Sequence, residues 1–337
     1  MRPFRHHHLI RVLEKIEQSA LPYDRLLSTY FRENPALGSK DRKWIAETLY
    51  ALTRWKLLVE AFTPMANDWE KTFAFIDTLD ISKLTQDEQW QKLPPHVRVS
   101  FPETLYQLLA AAYGDERAQE LCLISNTQAP LTLRANTIKC TPEELLSQLT
   151  SFAPKSIPEY PQAIQLEKRT NLFTIPAFKE GLFEVQDEGS QKLAELIEAK
   201  PGEHVLDYCS GSGGKALAIA PKMQGKGQLY LHDIRQHTLE EARQRFKRAG
   251  VENYKIAGDS KGLNPLKGKM DWVVVDAPCT GTGTLRRNPD MKWRFTEEGL
   301  REMVSMQREI VEKEVSYLKK TGILVYMNCS MIPAENE

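Results

Sequence analysis

Apolar strand-like runs alternate with amphipathic helix-like runs from about residue 186 onward, and this alternation limits the possible folds more than any other feature. The predicted strands are 204–207, 228–232, 254–257, 272–276 and 322–327, and the predicted helices include 190–199, 236–248 and 297–319. Strands joined by helices over short connections form a parallel sheet with helices on both faces. We therefore predict a doubly wound, Rossmann-like α/β domain.

The preceding part of the chain is expected to be mainly helical. Apolar residues recur at helical spacing from Leu9 to Ile16, and a second stripe, with Ser39 as its capping residue, predicts one helix running to about Phe62. Further helices are expected at 103–113 and 116–126, followed by a strand at 130–137, a helix at 142–149 and a loop at 151–161. We divide the chain into a helical domain (1–95), linker helices with a small α+β module (96–185) and the α/β domain (186–337).

Composition excludes several classes of protein. Lysine plus arginine and aspartate plus glutamate both number 45, so net charge neither supports nor excludes a nucleic-acid partner. No apolar run reaches the length of a membrane span, and the first residues lack the apolar core of a signal peptide. The five cysteines form no C-x-x-C pair, which argues against a disulfide framework and against a metal site and favours the cytoplasm.

A glycine-rich turn follows the first strand of the α/β domain. It consists of Cys209, Ser210, Gly211, Ser212, Gly213, Gly214 and Lys215. Glycines let a backbone approach a ligand closely, and the free amides of a helix start favour polar or anionic groups. A nucleotide-type cofactor site and a plain tight turn both fit this pattern. A P-loop does not, because Ala216 stands where serine or threonine is required after the lysine.

Three carboxylates favour a cofactor with positive charge. Asp233 and Asp259 follow the second and third strands, and Asp276 ends the fourth. Any one of them could be a helix cap or a turn residue. Together they would line one crevice at the carboxyl ends of the strands, where they suit a sulfonium and an ammonium group better than a pyrophosphate.

Two cysteines follow neighbouring strands and carry the chemical prediction. Cys279 comes after the fourth strand and Cys329 after the fifth, so both thiols are expected at one rim of the sheet. A thiolate that adds to carbon 6 of cytosine makes carbon 5 nucleophilic enough to accept a methyl group, and Asp276 is placed to hydrogen-bond the base. Cys122 and Cys140 are expected to be small apolar residues.

Clustered cations suggest an RNA surface. Arg286, Arg287, Lys292 and Arg294 surround Trp293 beside the rim, and this group is expected to contact phosphates while the indole stacks on a base. A second group lies on the helix 236–248 and consists of Arg243, Arg245, Lys247 and Arg248. Two interpretations stay open for this group: an RNA-contacting surface and an ordinary solvent-exposed helix face.

The sequence resembles the RsmB/Sun family of RNA cytosine-5 methyltransferases, especially its bacterial members that act on 16S rRNA. The matching segments are 133–137, 186–190, 209–215, 276–294 and 328–337. The resemblance implies a class I methyltransferase domain, a NusB-like RNA-binding domain at the amino terminus, RNA as partner and S-adenosylmethionine as cofactor, held by the 209–215 turn, Asp233, Asp259 and Asp276. It further implies that Cys329 is the nucleophile and that Cys279 assists release of the methylated base.

The chain departs from the family pattern in three places. Ser210-Gly211-Ser212 replaces the usual Ala-Ala-Pro, Met327-Asn328 replaces the usual Ser-Thr, and relatives continue with further strands beyond Glu337. The last point predicts either a fragment or an exposed sheet edge. Two alternatives stay open: a catalytically weak RNA-binding factor of ribosome assembly, and a tRNA cytosine-5 methyltransferase. An amino-group methyltransferase is disfavoured because Cys279 stands where an aromatic residue is expected.

Overall fold

The computed structural model describes residues 3–19, 21–63, 68–167 and 171–337, so Met1 and Arg2, where the first predicted domain begins, lie outside it. The amino-terminal region is helical, as predicted. A shared core, which includes Leu9, Leu49 and Phe73, holds its main helices together. The helices of this region are α1 (Phe4–Glu17), α2 (Tyr23–Glu33), α3 (Ser39–Arg54), α4 (Lys56–Phe62), α5 (Trp69–Asp77), α6 (Ile81–Leu84), α7 (Glu88–Lys92) and α8 (Pro95–Arg98).

The single helix predicted from Ser39 to Phe62 is wrong. The structure breaks it at Trp55, whose backbone leaves the helical region and separates α3 from α4. Ser39 is also not the capping residue, because Gly38 holds that position without a side-chain hydrogen bond. The break frees carbonyls in the last turn of α3, and Lys292 Nζ donates a hydrogen bond to the carbonyl of Arg54. A distant segment therefore stabilises the interruption.

Two further helices connect the helical region to the rest of the chain. They are α9 (Glu103–Tyr113) and α10 (Asp115–Ser125), one residue from the predicted bounds at most. Leu105 and Cys122 on these helices share a core with Leu285 and Ile332 of the α/β domain. The linker helices therefore pack directly on the segments that carry the two rim cysteines.

The small module contains a four-stranded antiparallel sheet in the order β2-β3-β1-β4. Its elements are β1 (Leu131–Ala135), α11 (Pro142–Gln148), β2 (Pro154–Ile157), β3 (Tyr160–Leu166), α12 (Pro176–Lys179) and β4 (Phe183–Val185). The loop predicted at 151–161 is wrong because it contains β2 and the start of β3. The prolines are tolerated there: Pro154 opens the edge strand, and Pro161 precedes the part of β3 that pairs with β1.

The carboxyl-terminal half forms the predicted parallel sheet, in the order β7-β6-β5-β8-β9. Its elements are α13 (Glu188–Glu195), β5 (His204–Asp207), α14 (Gly214–Met223), β6 (Gln228–Leu231), α15 (Gln236–Ala249), β7 (Tyr254–Ile256), α16 (Ser260–Leu263), β8 (Met270–Asp276), α17 (Glu297–Glu314) and β9 (Leu318–Met327). The long helix ends five residues earlier than predicted, and β9 begins at Leu318 rather than at Gly322. The polar residues after Leu318 concealed the start of this strand, which pairs with Met270.

Apolar cores lie on both faces of the parallel sheet. Helices α14 and α15 cover one face, where Phe246 and Val274 pack together, and α16 and α17 cover the other, where Leu263 and Val275 are buried. Because every strand runs the same way, all their carboxyl ends meet at one rim. Among the described helices, none is long and apolar enough to cross a lipid bilayer.

Candidate active site

A cleft of about 300 Å³ opens at the carboxyl ends of β5 and β8. The α/β domain supplies most of its wall, and the β4–α13 connection supplies the remainder. The lining residues are Val185, Gln186, Asp187, Ser190, Asp207, Cys209, Ser210, Ser212, Gly214, Lys215, Arg245 and Asp276. Six of the predicted site residues thus line one cavity: Cys209, Ser210, Ser212, Gly214, Lys215 and Asp276.

The glycine turn is held in a shape that other residues would disturb. Gly213 has φ +78°, and a Cβ atom built on it would lie 2.6 Å from the Phe246 ring. Gly211 has φ +53°, and its amide donates a 2.8 Å hydrogen bond to the carboxylate of Asp233. Arg245 donates to both the carbonyl and the hydroxyl of Ser212. Ser212 is therefore fixed by α15, the Ser210 amide donates a 2.9 Å hydrogen bond to the carbonyl of His232, and the turn is preformed.

Asp207 is the functional candidate that the sequence reasoning missed. It ends β5, is 1% exposed and lines the cleft. Neither carboxylate oxygen has a hydrogen-bond partner of normal geometry in the described part of the chain, although the backbone of Ala216 is close enough to lower its pKa. Burial, reinforced by the negative charge of Asp276, raises the pKa of Asp207 to about 7. The rule that selected Asp276, a carboxylate at a strand end, would have found it.

Lys215 and Asp276 face each other across the cleft and form an ion pair. The lysine side chain is 10% exposed and that of Asp276 is 35% exposed, so the pair is shielded on one side and reached by solvent on the other. The ammonium group of Lys215 also acts on Asp207, where it works to lower the pKa against the larger effect of burial.

Neither Asp233 nor Asp259 belongs to the cleft lining, although Asp233 lies directly behind the glycine turn. Burial works to raise the pKa of Asp233, but hydrogen bonds from Arg235 and from the Gly211 amide outweigh it and lower the pKa below its ordinary value. Asp259 is exposed and caps α16 by accepting a 3.0 Å hydrogen bond from the amide of Gly262. A cofactor contact by Asp259 stays a prediction.

The two rim cysteines lie together, as the strand order required. Their Sγ atoms are 3.2 Å apart, with Cys329 exposed and Cys279 half-buried. The hydrogen bond between the thiols lowers the pKa of Cys279 to about 7 and raises that of Cys329, so the pair releases one proton near neutral pH and retains the other. Lys215 and Asp276 lie close enough to influence the pKa of Cys329, which puts the pair beside the cleft.

The other three thiols are not activated. Burial raises the pKa of Cys122 and of Cys209 to about 12, and in Cys209 the charge of Asp207 adds to the effect. Cys140 is half-buried, and burial raises its pKa as well. Cys122 and Cys140 pack in apolar cores, as predicted.

The RNA-contacting role predicted for Lys292 is wrong. Lys292 is 1% exposed, and its Nζ donates to the carbonyls of Arg54 and Ser100 and to Oδ1 of Asn126 at 2.6–2.8 Å. Trp293 also makes a hydrogen bond within the chain, because its indole N–H donates to the carbonyl of Thr53. These bonds join the 289–294 segment to α3, to the loop after α8 and to α10.

The arginines of both basic groups also serve contacts within the chain. Arg287 pairs with Asp187, and Arg286 donates to the carbonyl of Gln128. On α15, Arg245 and Arg248 both pair with Glu184 of β4, whose side chain is 5% exposed. These two arginines do not form a solvated face, since they dock the small module onto the α/β domain.

The sheet order, the glycine turn and the carboxylates at the rim define a Rossmann-like α/β domain of the class I methyltransferase type. Residues 194–337 match the family model described as 16S rRNA methyltransferase RsmB/F, and residues 101–172 match the ferredoxin-like domain of the RsmF/B-like methyltransferases. The chain belongs to the RsmB/F family.

Relatives and solved structures agree with this assignment. Ribosomal RNA small subunit methyltransferase B of Escherichia coli is 34% identical over 246 residues, which cover 71% of this chain and 56% of the relative. A crystal structure of PH0851 covers 99% of this chain and 87% of its own at a TM-score of 0.78 and 22% identity, and therefore supports the fold alone. A methyltransferase homologue from Pyrococcus horikoshii, at 28% identity and a TM-score of 0.63, covers 72% of this chain and 77% of its own. The chain spans about half the length of the curated relatives it matches.

The residues present fit the cofactor. S-adenosylmethionine carries an ammonium and a sulfonium, and the cleft offers the unpaired carboxylate of Asp207 together with Asp276. Gly214 lines the cleft, and its lack of a side chain lets the backbone approach a bound ligand closely. Asp233 is buried beside the turn, where a carboxylate can accept hydrogen bonds from ribose hydroxyls. The neighbouring Ile234 is 85% exposed and offers an apolar surface to an adenine ring.

Proposed function

We propose that this chain belongs to an enzyme that methylates carbon 5 of a cytosine in the RNA of the small ribosomal subunit. The observation that carries the proposal is the pair of thiols, with Sγ atoms 3.2 Å apart, beside a carboxylate-lined cleft. Cytosine C5 needs a covalent nucleophile at C6 before it can accept a methyl group. The name of the Escherichia coli relative supports small-subunit rRNA as the substrate.

In the proposed reaction, the Cys329 thiolate adds to C6 of the base, and the C5–C6 electron pair moves onto C5. S-adenosylmethionine supplies an electrophilic methyl group, which C5 attacks as the bond from carbon to the sulfonium breaks. A base then removes the remaining C5 proton. The electrons of that C–H bond restore the C5–C6 double bond and expel the Cys329 thiolate. Cys279 assists this last step from 3.2 Å away.

Near neutral pH the thiol pair holds one proton between two sulfurs, since the shared hydrogen bond stabilises the first thiolate formed. A thiolate and a thiol are therefore available at the same moment. Because the proton has only to cross between two adjacent sulfurs, either cysteine can become the nucleophile while the other holds the proton. The exposure of Cys329 favours this cysteine as the one that reaches the base.

Asp276 is proposed to select cytosine over uracil. Its carboxylate, held by the ammonium of Lys215, can accept a hydrogen bond from the exocyclic amine at C4. Uracil presents a carbonyl oxygen at the same position, which a carboxylate repels. The target base must leave any helical stack to reach these groups, so a single-stranded rRNA segment is the expected substrate. The helical region 1–95 is proposed to hold the surrounding RNA.

The test uses 16S rRNA that lacks 5-methylcytosine, incubated with the protein and S-adenosylmethionine. We expect 5-methylcytosine in the digested RNA, detected by mass spectrometry. Cys329→Ala should abolish transfer and leave cofactor binding intact. Cys279→Ala should accumulate a covalent protein–RNA adduct that survives denaturing electrophoresis, because the adduct forms but is not resolved.

Cys140→Ala is the matched control, since this half-buried thiol lies in the small module away from the cleft. It should transfer methyl groups at the unmodified rate. RNA binding without any transfer at saturating cofactor would favour the assembly-factor alternative. Transfer to tRNA in place of rRNA would correct the substrate, and full turnover by Cys329→Ala would remove the assigned nucleophile.

A further inference from the structure

We propose that Glu335 is a positioning residue that holds both cysteine loops, and that its side chain serves the Cys279 loop alone. The inference rests on the proposed function, because it assigns a step of that reaction to this residue. Glu335 is 3% exposed and lies in the short helical turn Pro333–Glu335 that follows β9. It touches neither the cleft lining nor a sulfur atom through any hydrogen bond in the described residues.

The carboxylate of Glu335 anchors the chain on either side of Cys279. One oxygen accepts a 2.8 Å hydrogen bond from the amide of Thr280, and the other accepts from the Thr280 hydroxyl. Gln307, buried on α17, donates 3.0 Å to the same carboxylate and 2.8 Å to the carbonyl of Pro278. The residues immediately before and after Cys279 are therefore tied to one buried carboxylate and its amide partner.

The main-chain carbonyl of Glu335 anchors the Cys329 loop instead. It accepts a 2.7 Å hydrogen bond from Nδ2 of Asn328 and a 2.8 Å bond from the hydroxyl of Tyr326. Oδ1 of Asn328 then accepts from the amide of Ser330, so the asparagine spans Cys329 from both sides. None of these contacts involves the Glu335 side chain. Asn328, which replaces the family's usual threonine, thereby acquires a role in holding the loop.

This division allows the two loops to be separated by mutation. Removing the carboxylate frees the Thr280 amide and leaves the Thr280 hydroxyl only its 3.3 Å contact with the Ser330 hydroxyl, so the Cys279 loop loosens. The backbone carbonyl of Glu335 continues to hold the Cys329 loop. Addition of Cys329 to the base and methyl transfer should then continue. The step that depends on Cys279, release of the methylated base, should slow.

The experiment compares Glu335→Ala, Glu335→Gln and Cys279→Ala with 16S rRNA and S-adenosylmethionine. For Glu335→Ala we expect a first turnover close to that of the unmodified protein and steady-state turnover about 10- to 100-fold lower, the cost of displacing a catalytic group by up to about 1 Å. The covalent adduct should accumulate as it does in Cys279→Ala. Glu335→Gln should restore turnover, because the amide oxygen still accepts from the Thr280 amide and the amide nitrogen donates to its hydroxyl.

Glu309→Ala is the matched control, an exposed carboxylate on α17 whose loss should trap no adduct. The positioning role is refuted if Cys279→Ala traps the adduct and Glu335→Ala does not. It is also refuted if the first turnover of Glu335→Ala slows by the same factor as its steady-state turnover. If Cys279→Ala itself traps nothing, the proposed function has failed and the role of Glu335 with it. Should Glu335→Ala not fold, Thr280→Ala serves instead: it removes the hydroxyl that donates to Glu335 and contacts Ser330, and it keeps the Thr280 amide bond to the carboxylate. It must show a smaller adduct accumulation, and the absence of any accumulation refutes the inference.

Discussion

The buried carboxyl of Asp207 should destabilise the cofactor-free protein at neutral and alkaline pH. Asp207 is fully enclosed and has no normal hydrogen-bond partner among the described residues, so ionising it in the folded state is costly. The perturbation that tests this is Asp207→Asn, which keeps the shape and removes the charge. The variant should be more stable than the unmodified protein at pH 8 and should bind S-adenosylmethionine more weakly.

The size of the effect follows from the pKa. Burial, with the charge of Asp276, raises the pKa of Asp207 from 3.8 to about 7, which at 1.36 kcal/mol per pKa unit is worth about 4 kcal/mol. Between these two values the folded protein binds more protons than the unfolded chain, so stability falls as pH rises through that range and stays low above it. The unpaired amide that the substitution introduces costs ~2 kcal/mol. Asp207→Asn should therefore be more stable than the unmodified protein by about 2 kcal/mol at pH 8.

At pH 5 the carboxyl of Asp207 is still protonated in the folded protein, and the difference in pKa lowers the free energy of unfolding by only about 1.6 kcal/mol. The stability advantage of Asp207→Asn should therefore vanish at this pH. The difference in melting temperature between the two proteins, measured without cofactor from pH 5 to 8.5, should therefore grow by about 4–8 °C. Titration calorimetry should show cofactor binding weakened about 10- to 100-fold, the value of one charge-assisted hydrogen bond. A melting difference that is independent of pH would refute the reasoning.

Asp259→Asn is the control for this series. Asp259 is exposed and caps α16, and asparagine is an equally good cap. Its melting temperature should follow that of the unmodified protein at every pH. Its cofactor affinity also tests the predicted contact of Asp259, an exposed residue outside the cleft lining.

Three further predictions concern the thiols, the turn and the buried lysine. Alkylation of the rim thiols should rise with a midpoint near pH 7, and Cys329→Ala should move the midpoint for Cys279 up toward the ordinary value of 9; an unchanged midpoint contradicts the shared proton. Gly213→Ala should lose cofactor binding in calorimetry, because the added Cβ would lie 2.6 Å from Phe246 at a φ of +78°; retained affinity contradicts the preformed turn. Lys292→Met should cost about 2–4 kcal/mol in urea unfolding, because three buried acceptors lose their donor, whereas exposed Lys92→Met should cost little.

Residues at the ends of buried parallel strands were the most predictable part of the site. Cys279, Cys329 and Asp276 follow or end strands, and a parallel sheet brings such positions to one rim whatever the details of packing. Asp207 obeys the same rule. Its position at the end of β5 alone predicts a carboxylate in the cleft.

What could not be predicted depends on contacts between distant segments. The break at Trp55 is stabilised by donors from Lys292 and Trp293, more than 200 residues away along the chain, and no local pattern contains that information. The strands within 151–161 likewise form because β3 finds β1 as a partner, a long-range pairing that overrides the local proline signal.

The misassigned cations show why charge clustering is a weak guide beside a domain boundary. Lysine and arginine are the side chains best able to satisfy several backbone carbonyls at once, and such carbonyls accumulate where helix ends meet another domain. Lys292 therefore sits where α3, α10 and the loop after α8 converge, and burial lowers its pKa well below the ordinary value. A cation that has given up its hydration to bind carbonyls cannot also bind phosphate. Lys292 is accordingly excluded from an RNA surface, whereas the Arg287 and Arg294 side chains stay 34% and 42% exposed. Substitution of Lys292 should therefore affect stability before it affects RNA affinity.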